Sequence, residues 1–357
     1  MPKNQKPIAR VTEKRKIDHL KISREKDVNF QTRTTGFEDL GFEGVDLDYK
    51  TLPEINKRDI RLETVFLGKR LAAPLLVSGM TGGTQEAMKI NRDIARAVQK
   101  LRLGMGVGSQ RAMMEDLSLA STYQVRDIAP DIFLAGNIGI AQLKEYPVEK
   151  IRHALDEIGA DALAVHLNAA QEAVQPEGDT DFAGALNAIE RTVRKLGRPV
   201  IAKEVGHGID EATAHALAKT GVAAMDVQGA GGTSWTAIES FRKNSGVGKA
   251  YWDFGIPTAA SLMMVRKAFD GPVIASGGIR SGLDAVKALA LGANVVSMAR
   301  PIFLAQQKGG SKDVEEFLIR FIEEMRVGLF LLGAQTPPEA TKRKPVLSGR
   351  LKDWVEA

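Results

Sequence analysis

From residue 72 onward two hydrophobic patterns alternate along the chain. Short continuous apolar runs end in Gly, Asn or Ser, and longer segments with apolar positions at helical spacing separate most of them. Eight such runs occur: "AAPLLVSG" (72–79), "RLGMGVG" (102–108), "DIFLAGNIG" (131–139), "DALAVHLN" (161–168), "RPVIAKEV" (198–205), "VAAMDVQG" (222–229), "GPVIASGG" (271–278) and "GANVVSMA" (292–299). Runs without strict alternation fit strands covered on both faces. The intervening helices include "TQEAMKINRDIARAVQKL" (84–101), "VEKIRHALDEIG", "FAGALNAIERTVRKLG" and "LDAVKALALG". Eight strands alternating with helices predict an α/β fold, a closed (β/α)8 TIM barrel. A doubly wound open sheet is the alternative.

Two regions stand outside this alternation. Residues 1–71 form an N-terminal extension: a basic segment, then "DIRLETVFLGKRL" (59–71), which reads as a hairpin placed to plug the barrel's base. Residues 72–357 form the barrel itself, ending in a long closing helix, "SKDVEEFLIRFIEEMRVGLFLLG" (311–333). The connection over 230–257 is long enough to suggest a functional or disordered loop.

Composition narrows the field. Of 357 residues 44% are apolar and 26% charged, as in an ordinary soluble domain. No apolar run reaches membrane-spanning length, and no apolar stretch follows the basic start, so neither a membrane partner nor a secretory signal is expected. A cytoplasmic location follows as the expectation. The chain has no Cys, which excludes disulfides, thiolate metal sites and thiol nucleophiles. Net charge is +5, with nine Lys or Arg against three acids in residues 1–26. That segment reads as a solvated tail or as an anion contact. It lacks interleaved aromatics, so no nucleic-acid partner is expected. "GMGVGS" (104–109) misses the third glycine of a dinucleotide fingerprint.

In a barrel the site lies at the C-terminal ends of the strands. The residues there are unusually polar. They are Ser78, Gly79, Met80 and Thr81, then Ser109, Gln110 and Arg111, then Asn137, and then His166, Asn168, Gln171 and Glu172. Lys203, Gln228, Thr233 and Trp235 follow. "SGGIRSG" (276–282) and "SMARP" (297–301) come after the last two strands, where barrels often hold a phosphate; Arg280 and Arg300 can add charge. The other reading of these glycines is a pair of tight turns. Lys203 in the mouth needs a negative partner, unless it is solvated on the rim. Glu172 beside Gln171 and Asn168 offers hard oxygen ligands for Mg2+, or simply a favourable charge at a helix start. If "RKIDH" is helical, Arg15 and Lys16 neighbour His19, either as a diphosphate clamp or as a solvated basic face.

Taken together, "RKIDH", "SGMTGG" (78–83), "GVGSQR" (106–111), "GNIG" (136–139), "HLNAAQE" (166–172), "AKEVG" (202–206), "GAGGTSW" (229–235), "SGGIRSG" and "SMAR" resemble the type 2, FMN-dependent isopentenyl diphosphate isomerases over nearly the whole chain. Only the last two motifs are shared with other FMN barrels. The resemblance implies FMN across the barrel mouth, with Ser78, Gly79, Met80, Thr81, Ser109, Asn137 and Lys203 near its ring. Thr233, Gly278, Ile279, Arg280, Ala299 and Arg300 would hold its phosphate end. Arg15, Lys16, His19, Ser109, Gln110, Arg111, His166 and Asn168 would bind the substrate diphosphate, and Mg2+ would bridge it to Glu172. Lys203, facing the N1–C2 edge, would stabilise the anionic reduced ring. Gln171 would lie beside the isoprenoid carbons. Its amide is a poor acid or base, which favours orientation of substrate while reduced FMN handles the proton.

The resemblance also implies NAD(P)H as reductant and a homo-tetramer or homo-octamer. Two rivals remain. A hydroxy-acid oxidase needs a His base after strand six, and the nearest of the five His residues, His207, follows strand five. A non-catalytic phospholigand-binding barrel would show no affinity for FMN. Barrels of the IMP dehydrogenase type need a Cys nucleophile, which is absent.

Overall fold

The protein is described by a computed structural model covering residues 8–30, 42–243 and 246–356. Its centre is a closed barrel of eight parallel strands: β1 (Leu75–Val77), β2 (Gly104–Gly106), β3 (Phe133–Gly139), β4 (Ala162–His166), β5 (Val200–Lys203), β6 (Ala224–Asp226), β7 (Val273–Ser276) and β8 (Val295–Met298). Each lies inside one of the apolar runs, and β8 pairs with β1 to close the cylinder. The open-sheet alternative is therefore excluded. The strands are buried along their length because helices cover their outer face and a second apolar cluster fills the interior.

That interior cluster explains the hairpin. Strands Thr64–Phe66 and Lys69–Leu71 pair antiparallel. Between them Leu67 and Gly68 both have positive φ, 45° and 84°, as the tightest hairpin turn requires. Phe66 and Leu71 enter the barrel beside Phe133, Ala162, Ile201, Ala224 and Val295, residues at the starts of their strands. The Phe66 ring meets Phe133 edge to face, with centroids 5.2 Å apart. The hairpin thus stops the lower end and leaves the upper end for chemistry.

Five helices matter for the site. They are α1 (Ile8–Glu25), α2 (Gln85–Lys100), α3 (Ala169–Val174), α4 (Trp235–Lys243) and α5 (Arg300–Leu332). The closing helix is longer than its sequence pattern suggests. It starts directly after β8 and breaks at Gly309–Gly310, where Gly310 has φ 65° and ψ −145°. The stretch after α1 is stitched to the long connection over 230–257. Phe30 N–H donates to Gly232 O and Ser234 N–H to Val28 O, while Val28 is fully buried against Ala237 and Ile238.

Phe66→Ala should lower unfolding free energy by about 3–5 kcal/mol, the usual cost of emptying a buried phenyl site. Chemical denaturation measures it. A wild-type midpoint would mean that the hairpin does not belong to the cooperative unit.

Candidate active site

A cavity of about 820 Å³ opens at the C-terminal ends of the strands. Every strand supplies it with a residue within two positions of its C-terminal end. One wall comes from outside the barrel: α1 lays Arg15, Lys16, His19, Leu20 and Ser23 along it.

The strand ends form a belt of buried polar groups, partnered across neighbouring strands or within their own loops. Asn137 on β3 donates from Nδ2 to Val107 O at 3.1 Å, which leaves its Oδ1 to accept from His166 Nδ1 at 2.9 Å. His166 stands in register with Lys203, and Lys203 with Asp226. Lys203 Nζ donates to Glu204 O at 2.8 Å. Glu204 Oε2 accepts the N–H groups of Val205, Gly206 and His207 at 2.6–2.8 Å. Ser78 and Ser297 close the ring through their hydroxyls.

Burial dominates the charge states here. It pushes the His166 imidazole down to about 3, with the Lys203 charge adding to the effect. The ring is therefore neutral at working pH. Because Nδ1–H is given to Asn137, Nε2 carries the lone pair. In that state its Nε2 accepts a hydrogen bond from a ligand that carries a proton and does not donate one. His166 lines the cavity, where the sequence reading expects the diphosphate end.

The α1 wall holds the cations. Lys16 Nζ donates to Tyr123 Oη at 2.7 Å and to Ser109 O at 3.1 Å. Burial, then repulsion from Arg15, brings Lys16 down to about 7. Arg15 is likewise held below its ordinary value, by burial and then by Arg111. His19 Nε2 bonds Glu239 Oε1 at 2.8 Å, and Glu239 is wholly buried on α4. The basic segment is thus a seated helix, and its cations stand near Arg111, which pairs with Glu115 at 2.8 Å, while Glu172, Glu177 and Glu239 partly offset the charge of Arg15.

On α3, Asn168 has φ 30° and donates from Nδ2 to Glu172 Oε1 at 2.8 Å and to Gln171 Oε1 at 3.3 Å. Asp179 N–H donates to Glu172 Oε2 at 2.8 Å. The carboxylate is thereby aimed. Among the described residues no cluster of three acidic or imidazole side chains could hold a metal alone. Glu172 fits Mg2+ only as the single protein ligand to an ion whose other oxygens come from diphosphate and water.

At the far end, Gly277 and Gly278 have φ of 96° and 79°. A Cβ on Gly278 would stand 2.4 Å from Gly231 O, so backbone of the β6 loop presses against the turn. Gly278 and Ile279 line the cavity opposite Ala299 and Arg300, where α5 begins. A glycine turn facing the unpaired N–H groups of a helix start suits a phosphate. The arginines differ from expectation. Arg280 is held by Gly231 O at 2.8 Å and by Glu43 at 3.2 Å. Arg300 gives its guanidinium to Ser23 O, Lys26 O and Asn29 Oδ1 at 3.0–3.3 Å, capping the end of α1. The cradle rests on backbone, with the arginines as its frame.

Of the residues read from the sequence, Gln110 alone is absent from the lining. Its Oε1 accepts from Asn137 N–H at 3.1 Å and its Nε2 donates to Ala154 O at 2.8 Å, so it is a buried brace for β3 and not a substrate contact. His207 is also absent from the lining, and neither ring nitrogen has a hydrogen-bond partner among the described residues. It cannot serve as an oxidase base from there. Tyr123, Glu239 and Asp226 escaped sequence reading. None sits in a motif, and only tertiary packing brings them to the site.

A family model described as FMN-dependent dehydrogenase matches residues 149–345, more than half of the chain. The isopentenyl-diphosphate delta-isomerase of Ignicoccus hospitalis is 44% identical over 354 residues, covering 96% of both chains. That of Pyrococcus abyssi is 42% identical over 353 residues, covering 96% of this chain and 94% of its own. Among solved structures, Pediococcus acidilactici lactate oxidase superposes with a TM-score of 0.64 at 18% identity, covering 93% of this chain and 87% of its own. A mandelate oxidase variant with (S)-mandelic acid gives 0.64 at 17% identity, covering 97% and 100%. At such identity the oxidases share the fold alone.

The Lys16 ammonium loses its proton as pH rises through about 7. A bound diphosphate restores it, so affinity for inorganic pyrophosphate should be fullest below pH 7 and fall above it. At pH 8 binding should take up about one proton more than in Lys16→Met. Calorimetry in buffers of differing ionisation enthalpy measures this. Equal uptake by the two proteins would take Lys16 out of the anion site.

Proposed function

This chain belongs to the isopentenyl-diphosphate delta-isomerase family, and from that premise we propose how its barrel interconverts isopentenyl and dimethylallyl diphosphate with FMN. One observation carries the reading. A single cavity has a backbone cradle for one phosphate at β7–β8 and a separate cluster of side-chain cations at the opposite wall. An FMN barrel acting on an uncharged substrate would need only the first, and one acting on a monocarboxylate would need a smaller cation cluster than Arg15, Lys16 and Arg111 provide.

In this reading Gly278, Ile279, Ala299 and Thr233 hold the FMN phosphate, and Met80, Thr81, Ser109, Asn137 and Lys203 meet the ring. The donor set fits: positive-φ glycines, a helix start, and a lone ammonium buried at the strand ends. When bound in its reduced form, FMN supplies acid–base chemistry and an electron-rich face to the isoprenoid carbons. Arg15, Lys16 and Arg111 neutralise the substrate diphosphate, and His19, held by Glu239, fixes the turn of α1 that carries them. Asn168 aims Glu172, the Mg2+ ligand, and Gln171, which orients the carbons. The seated α1 excludes water while a proton is added at C4 and another leaves C2. NAD(P)H as reductant, a cytoplasmic location and a homo-tetramer or homo-octamer complete the proposal on the strength of the family resemblance. Among the described residues no helix is long and apolar enough to cross a membrane.

The deciding experiment is an anaerobic assay of isopentenyl diphosphate with FMN and Mg2+, before and after dithionite. Activity should appear on reduction and be nearly absent in air-oxidised protein; equal turnover in both states would overturn the reading. Glu172→Gln should keep FMN affinity and lose most activity at limiting Mg2+, because shape persists and the metal-binding charge does not. Wild-type Mg2+ dependence in that variant would remove Glu172 from the metal.

A further inference from the structure

Lys203 is the only ammonium in the belt of strand ends, and it is 6% exposed. A buried ammonium keeps its proton only if anions offset the lost hydration. Its direct hydrogen bond goes to a neutral acceptor, Glu204 O. Two carboxylates lie near. Glu204, the next residue, turns away into the loop, where three backbone N–H groups surround Oε2. Asp226 stands beside Lys203 in the β5–β6 register and is 5% exposed. Neutral donors on two elements fix it. Ser276 on β7 gives its hydroxyl to Oδ1 at 2.5 Å, and Gln228, itself at φ 35°, gives its amide to Oδ2 at 3.0 Å. These donors favour the ionised carboxylate. A void of about 40 Å³ lies inside the barrel, lined by Lys203, Asp226, Ser78, Asn137 and Ser297. Most of its lining is apolar, these five side chains form its polar side, and it is large enough for one water.

We propose that Asp226 is the positioning residue that keeps the Lys203 ammonium charged beneath the FMN ring, acting across the barrel's interior and not by touching the cofactor. This rests on the reading that FMN lies against Lys203. The remaining charged groups agree with the assignment. His166 on β4 is neutral, and Glu204 is engaged by its own loop. Burial drives Lys203 down, and the first force that opposes it is Asp226, ahead of Glu204. Asp226 in turn is held above its ordinary value by burial, against the pull of Lys203. The two groups therefore keep their charges together or lose them together.

The test is a cycle of Asp226→Asn, Lys203→Met and the double variant, each purified with FMN. Affinities for oxidised and reduced FMN are measured anaerobically by titration, with the bound cofactor's midpoint potential across pH 6–9. If Lys203 loses its proton without Asp226, Asp226→Asn should weaken the preference for reduced FMN by about tenfold or more. Lys203→Met should do the same, and the double variant should go no further. Asp226→Glu should restore much of the preference. Ser276→Ala, which removes one donor from the carboxylate, should move the potential the same way by less, and it serves if Asp226→Asn does not fold. A stronger preference for reduced FMN in Asp226→Asn would mean that only a nearby negative charge was lost, and would overturn the proposal. So would equal effects of Asp226→Asn with and without Lys203. A wild-type potential in Lys203→Met would instead overturn the placement of FMN against Lys203.

Discussion

The desolvation of polar groups at the barrel's upper rim constrains everything above it. Eight strands converge there, and their inner faces are buried, so each polar side chain must find a protein partner, on a neighbouring strand or in its own loop. Asn137 answers His166, Ser297 answers Ser78, and Asp226 takes a hydroxyl and an amide. Strand register sets these pairings, so a shift of one residue would unpair the whole belt. The hairpin at the base serves the same end by fixing the interior packing on which the register depends. The site is thus specified by a layer of structure beneath it that never touches a ligand.

The second dependence runs through α1. Arg15 and Lys16 are half-buried, and desolvation outweighs the nearby carboxylates in lowering their hold on a proton. The helix is nevertheless held in place at both ends of its described contacts. His19 meets the buried Glu239, and Arg300 caps the last carbonyls. Arg300 also opens α5, where the phosphate cradle lies, so one residue joins cradle and wall. The long connection over 230–257 finds its purpose here as well. It carries Glu239 and pairs through Gly232 and Ser234 with the chain just after α1.

The fold was legible in the sequence for a physical reason. Parallel strands buried on both faces leave continuous apolar runs, and each of the eight runs contains one observed strand. The strand-end polar residues were legible because topology places them on one rim. What sequence could not supply was direction. Gln110 lies one position from Ser109, yet it faces into the wall and braces Asn137. Arg280 and Arg300 sit in the right loops, but their guanidinium groups bind protein carbonyls. His166 sits where a diphosphate ligand is expected, but its tautomer is fixed by Asn137, a residue 29 positions away. Glu239 and Asp226 carry no local signal, since a buried acid is recognisable only by its partners.

The two anion sites differ in the way their occupants would be expected to differ. Backbone N–H groups at Gly278, Ile279 and the start of α5 have no rotamers to lose and cannot titrate, which suits a phosphate that stays through many turnovers. Long side chains on a helix appended to the barrel lose conformational freedom on each binding event. One of them, Lys16, stands near the pH at which it changes charge. Such groups bind less permanently and respond to what they bind, which suits a diphosphate that must leave as product. On the proposed reading, the chain separates a resident anion from a passing one by choosing backbone for the first and side chains for the second.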